Sequence, residues 1–261
     1  MFLWIYDIST WSLCLLIVGT FTIISLAGLF LTRKWILQLS GAMQGHNEGV
    51  DIFVGTVGLF YGLIAGLMAV AVWGTYSEMQ TRMSAEAGAL ASLYRDVDSY
   101  PEPYRSKLTG YIRDYTRYTI DVAWPEQQKG LVPTDKYVGL IESTLYSYEP
   151  KTESQKIIDA SAIAGIGNYI QLRDFRLDNI AAGLPSSLWL VIIFGAIATV
   201  FLTYFLALER FEIHVIMTIF TAIMVSLLIF MIAVVDHPFR GTVSVHPDSF
   251  ELIYNQLMRT K

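Results

Sequence analysis

Apolar residues gather in four blocks along the chain, separated by one long polar stretch and two short connections. The first block, Trp11 to Thr32, follows a start without Lys or Arg and ends at Arg33-Lys34-Trp35. The second, Asp51 to Thr75, holds 25 residues with no charge beyond its first. The third spans Ser187 to Leu208 and the fourth Ile213 to Val235, with Glu209-Arg210-Phe211-Glu212 as a tight turn between them. At ~1.5 Å per helical residue each block is long enough to cross a ~30 Å hydrocarbon core. A cleaved leader would carry positive charge before its apolar run and a small-residue cleavage site after it. The first block has neither and is expected to be an uncleaved span. Trp4, Tyr6 and Trp11 at one end and Trp35 at the other suit the two membrane interfaces. A connection containing Gly41, Gly45, His46, Asn47 and Glu48 leads to the second span, for which Asp51 is the expected N-cap. Ser186 and Ser187 are the expected caps of the third span, and Trp189 its interface anchor.

The second span carries Gly58, Gly62 and Gly66 four residues apart, with Gly55 one turn earlier. Glycines at that spacing form a shallow groove into which another backbone fits closely. Two readings stand: a helix lining a crowded central axis or pore, or ordinary packing between membrane helices. In the pore reading, Phe53, Val57 and Phe60 form the constriction.

No Gly or Pro lies between Gly74 and Gly88, so the second span is expected to continue as a helix out of the membrane. Met79, Met83, Glu86, Leu90, Leu93 and Val97 recur at intervals of three and four, a coiled-coil-like seam with one carboxylate in it. Pro101 and Pro103 end that helix. A second helix is predicted from about Pro103 to Trp124, and a short third starts after Pro133-Thr134 and ends by Pro150. The last starts at Thr152, which forms a capping box with Gln155, and runs to Gly183. Gly183-Leu184-Pro185 closes it. Nowhere does the alternation of a strand appear.

The predicted fold is therefore an all-α integral membrane protein of four transmembrane helices, with a helical extramembrane domain inserted between the second and third spans. The expected divisions are a first membrane pair (1–75), the helical domain (76–186), a second membrane pair (187–236) and a tail (237–261). The tail has an amphipathic stretch from Ser249 to Met258. An even number of spans puts both termini on the side of the domain.

Composition supports this reading: 54% of residues are hydrophobic and only 16% charged, poorer in charge than a typical soluble domain. The net charge of −5 argues against a nucleic-acid partner. The lone Cys14 sits in the first apolar block as a filler, so no intrachain disulfide forms. Phosphate-binding loops, His-Glu-x-x-His and nucleophile elbows are absent from the sequence, which predicts neither an enzyme nor a bound cofactor. Asp236, His237 and His246 have no familiar metal-ligand spacing, and no metal site is predicted. Arg33, Lys34 and Arg210 on one side of the spans are nearly balanced by Arg82, Arg173, Arg176 and Arg240 on the other, so charge does not set the orientation.

Glu86 has two readings: a carboxylate ring at a pore mouth that attracts cations, or a partner of Arg82 one turn earlier. Arg173 and Arg176 are expected to pair with Asp174, Asp178 or Glu86, or to meet lipid headgroups. Asp236, Pro238 and Gly241 are expected to shape a turn that docks the tail, with Arg240 clamping it. In the pore reading Glu86, Asp236, His237 and Arg240 are the candidate ion-attracting or gating residues.

Several pieces resemble a known family: His46-Asn47 before a glycine-rich span with Gly58 and Tyr61, Glu86-Ala87 with Leu93-Tyr94-Arg95, and Trp124-Pro125. To these are added Arg173 and Arg176, Leu184-Pro185 with Trp189, and Asp236-His237-Pro238-Phe239-x-Gly241. Together they resemble the bestrophin-like domain family of bacterial membrane proteins. The chain departs from the pattern at Ala123, where an acid would be expected before Trp124-Pro125. Bestrophins are pentameric ion channels whose second span lines the pore and whose helical domain is cytosolic. The resemblance thus implies a homo-oligomer, pentameric by analogy, that passes inorganic ions through a bacterial cytoplasmic membrane, with lipid around it and the domain and termini in the cytoplasm. The alternative is a non-conducting scaffold or sensor whose helical domain binds a partner protein.

Overall fold

The computed structural model describes residues 3–40, 46–208 and 210–259. A short 3-10 turn, Leu3–Asp7, precedes nine α-helices among these residues. They are α1 (Thr10–Ser40), α2 (His46–Val97), α3 (Tyr104–Tyr118), α4 (Trp124–Gln128), α5 (Tyr137–Tyr146), α6 (Glu153–Asp178), α7 (Ser186–Thr203), α8 (Phe211–Val235) and α9 (Asp248–Ile253). The described residues contain no strand. Four helices, α1, α2, α7 and α8, are long and apolar enough to cross a membrane.

The chain divides into two compact units. One comprises 1–75, 183–237 and 241–243, and the other 76–182, 238–240 and 244–261. The division falls at Gly183, three residues before the end expected for the domain, and the tail contributes to both units.

In the first unit α1 lies along α8, and α8 packs on α7. Leu29, Ile36, Val200 and Tyr204 form a buried cluster there. The Tyr204 ring lies so close to Gly28 that a Cβ at that position would come within 2.6 Å of its hydroxyl oxygen. That hydroxyl donates to the Ser25 carbonyl at 2.7 Å. The Tyr61 ring of α2 presses in the same way on Gly195 of α7, 2.6 Å from where a Cβ would stand.

Four local expectations about this unit need correction. First, α1 runs past Arg33-Lys34 to Ser40. Basic residues are good helix formers, and Arg33 stacks on the Phe211 ring, 4.4 Å from its centroid. Second, α2 starts at His46, so Asp51 is inside the helix and is not its N-cap. Asn47 instead ties the helix start to the turn after α7: its Oδ1 accepts from Ala207 N at 3.0 Å and its Nδ2 donates to Ala207 O at 3.2 Å. Residues 41–45 of the expected connection lie outside the described residues, as does Glu209 of the expected turn. Third, α7 ends at Thr203, five residues before Leu208. The His214 ring takes the Thr203 carbonyl with Nε2 at 3.0 Å, satisfying it where the helix stops. Fourth, neither Ser186 nor Ser187 caps α7, whose N-cap is Pro185 with no side-chain bond.

In the second unit the seam of α2 is buried from end to end, from Met79 to Val97. Helix α3 does not stop at Trp124. Its ladder widens into a π turn, Thr119–Ala123, and continues as α4 through Pro125 to Gln128. The π turn relieves the clash that the proline ring would otherwise make with the preceding turn. Helix α6 opens on the predicted capping box, with Gln155 N donating to Thr152 Oγ1 at 3.2 Å and Gln155 Oε1 accepting from Thr152 N at 3.3 Å. It closes at Asp178, earlier than Gly183, where the Asn179 side chain bonds the Phe175 carbonyl at 2.8 Å. Trp124 fills the core between Phe239 and Phe250, and its indole N–H donates to Val245 O at 3.2 Å.

Candidate functional site

Polar side chains inside the second unit converge on Arg176, near the end of α6. Its side chain is 1% exposed and faces Glu86, 0% exposed, in the seam of α2. Two parallel bonds join them, Nε to Oε2 at 2.8 Å and Nη2 to Oε1 at 2.9 Å. Nη1 donates to Gln127 Oε1 of α4 at 2.5 Å. The guanidinium carbon lies 5.4 Å from the Trp124 ring centroid, a cation–π position. Burial penalises this cation most, but the charge and hydrogen bonds of Glu86, together with Tyr115 and Tyr169, more than offset it, so the guanidinium is held above its ordinary value. The result is a charged clamp joining three helices.

One turn earlier on α6, Arg173 donates from Nη2 to Asp135 Oδ2 at 2.7 Å and from Nε to Tyr115 Oη at 3.2 Å. Asp135 also accepts from the amides of Tyr137 and Val138, at 3.0 and 3.2 Å, and so starts α5. Tyr169 donates to Tyr115 Oη at 2.6 Å. Burial is the main cause that raises the Tyr169 phenol well above its usual value, so it stays neutral.

This geometry corrects the reading of Glu86. Its partner is Arg176, one of the alternatives in sequence, and not Arg82, which bonds Glu78 at 3.3 Å and stacks 5.0 Å from the Phe175 ring centroid. A carboxylate with no solvent exposure and both oxygens on one guanidinium is not presented as an ion-attracting ring. The sequence did carry a signal for this: an acid in an apolar seam needs a buried partner. Gln127, Tyr115, Tyr169 and Asp135 gave no comparable signal, because each is unremarkable within its own helix or turn.

In the first unit Asp236 ends α8 and is 2% exposed. Its Oδ1 accepts from Leu184 N at 2.6 Å and its Oδ2 from the Trp189 indole at 3.1 Å. Asp236 thus fixes the segment just before α7 from far along the chain, while no side chain caps the helix itself. His237 Nδ1 lies 3.1 Å from Asp236 Oδ2 and 3.0 Å from Tyr6 Oη. The His237 ring covers Gly183, and Tyr6 packs on Gly241, which holds φ +86°. Thr10 and Thr242 join their hydroxyls beside it. In the second unit Arg240 donates to Lys129 O at 2.7 Å, with its guanidinium against Gly130 at φ +82°. Asp236, His237 and Arg240 are therefore all engaged in bonds that shape the turn after α8. Among the described residues no group of three or more His, Cys, Asp and Glu is placed to hold a metal.

The glycine ladder stands apart from these clusters. A Cβ added at Gly55, Gly58, Gly62 or Gly66 would meet nothing within 4 Å. The buried stripe of this part of α2 is Tyr61, Ala65, Ala69 and Val72, about 100° round the helix from Gly62 and Gly66. Phe53 and Phe60 are 66% and 60% exposed, and Val57 is half-buried.

The fold is similar to solved structures. A point variant of a bacterial bestrophin homologue from Klebsiella pneumoniae superposes with a TM-score of 0.72 at 10% identity, covering 94% of this chain and 98% of that one. A variant described as a membrane protein gives 0.71 at 11% identity, covering 94% and 97%. No curated protein sequence matches the chain. Four apolar helices of spanning length make it a multi-pass membrane protein. The model of the Bestrophin-like domain family matches residues 19–250, and the chain belongs to that family.

Proposed function

We propose that the chain is one subunit of a homo-oligomeric ion channel in a bacterial cytoplasmic membrane, with α2 of each subunit lining a central axis. The observation that carries this reading is the open glycine face of α2. Gly28 and Gly195 are covered by tyrosine rings of the same chain, whereas Gly55, Gly58, Gly62 and Gly66 are covered by nothing in it. Small residues in a membrane helix favour close approach of a second helix, and in this reading that helix is another copy. Phe53, Val57 and Phe60 then narrow the axis. The unit built on residues 76–182 is the helical domain outside the membrane, placed in the cytoplasm with both termini, and five subunits close the ring as in bestrophins.

Reconstitution into liposomes with an ion-flux readout tests the proposal. Flux of anions or of cations above that of protein-free liposomes is expected. Silence to both, across pH and divalent-cation conditions, overturns it in favour of a non-conducting scaffold or sensor.

A further inference from the structure

Beside the Arg176 clamp the second unit contains a small void whose lining includes Tyr115, Tyr118, Thr119, Ala123, Arg173 and Arg176. Its volume is about 10 Å³, room for a single small occupant. The π turn Thr119–Ala123 shapes one wall, and local π turns inside α-helices are frequent at functional sites.

The lining is rich in donors and short of acceptors. Thr119 is 1% exposed, and its Oγ1 has no hydrogen-bond partner. Tyr115 Oη accepts from Tyr169 and from Arg173, so its own proton still needs an acceptor. A guanidinium carries five N–H groups, and Arg176 spends three of them on Glu86 and Gln127. Arg173 likewise has N–H groups beyond those given to Tyr115, Asp135 and Asp174. Asp135, which also lines the void, takes two amides and Arg173, three of the about four bonds a carboxylate can accept, and both Glu86 oxygens face Arg176. Ala123, only 5% exposed, offers a methyl group to this wall and no acceptor. A water molecule would bring two more protons to a surface already supplied with them. A small anion brings none and can accept several donors at once.

The geometry points to a binding site for a single small monovalent anion of halide size in this void, held by Thr119, Tyr115 and the two arginines. The site lies wholly within the helical unit, and its occupancy does not depend on whether the protein conducts. Arg173 and Tyr118 both line the void and are only half-buried, which leaves the ion a way in.

The test is the thermal stability of the purified full-length protein as gluconate is replaced by chloride or bromide at constant ionic strength. A saturable rise of about 3–6 °C is expected at ten times the dissociation constant. Thr119→Val keeps the shape but removes a donor, and should weaken the halide midpoint several-fold. Ala123→Asp places a carboxylate among the same donors and should abolish the response. Anomalous diffraction from a bromide-soaked crystal should show one peak between Thr119 and Arg173. Equal stability in halide and gluconate overturns the site, and so does a halide response that survives unchanged in both variants. A bromide map with no peak in the void also overturns it.

Discussion

Glu86 and Arg176 show how one residue's environment overrides its local sequence context. A bidentate pair removed from water offsets its desolvation only while both partners are present. Replacing one leaves an uncompensated buried charge, which costs about 3–5 kcal/mol. Glu86→Leu and Arg176→Met should therefore each lower the unfolding free energy of the purified protein by about that amount. The double variant should recover most of the loss, because two apolar side chains then fill the gap left by two opposite charges. A double variant as unstable as the sum of the singles would show that the pair is not the coupled clamp its geometry implies. Arg82, one turn from Glu86, contributes little to this balance because its own ion pair with Glu78 is exposed.

At the scale of the element, α2 presents two glycine-related surfaces with opposite consequences. Tyr61 packs on Gly195 of α7, so a side chain at Gly195 forces a buried ring to move. Gly195→Leu should cost about 1–3 kcal/mol of the stability of the single chain, the usual range for overpacking. A Cβ at Gly62 meets nothing of the chain within 4 Å, and Gly62→Leu replaces a poor helix former by a good one, so the subunit fold should be unharmed. If the ladder seats a second copy, the assembly should loosen or change its subunit number, read as mass in native lipid, while Leu63→Ile leaves both quantities unchanged. A Gly62→Leu protein of wild-type mass in native lipid would place the ladder against lipid and remove the central axis.

For the whole molecule, orientation in the membrane is a separate matter from the fold. Basic residues are nearly balanced on either side of the spans, so the positive-inside rule favours neither orientation, and the cytoplasmic placement follows the bestrophin layout. A reporter active only in the periplasm, fused after Lys261, should stay silent. Activity there would reverse the orientation while leaving the fold intact. The turn after α8 matters at this scale because consecutive residues serve different units. Asp236, His237 and Gly241 make their contacts within the first unit, and Phe239 and Arg240 within the second. A single short segment thus carries contacts on which both units depend, which gives its dense signature a physical reason.

What the sequence determined by itself is what depends on neighbours a few residues away. Uncharged runs of spanning length give four membrane helices. Thr152 and Gln155 sit three apart and form their capping box, and the three-and-four spacing from Met79 to Val97 marks one buried stripe. Helix ends were less legible, because the groups that hold the segments beside them come from elsewhere: Asn47 bonds Ala207 across 160 positions, His214 takes the Thr203 carbonyl where α7 stops, and Asp236 bonds Leu184 across 52. Only the tertiary structure decided that Glu86 belongs to Arg176, 90 positions away, that Tyr61 covers Gly195, and that the glycine ladder faces outward from its own chain. Periodicity shows that a helix has an apolar face, but which partner covers that face is settled by the packing of the other helices.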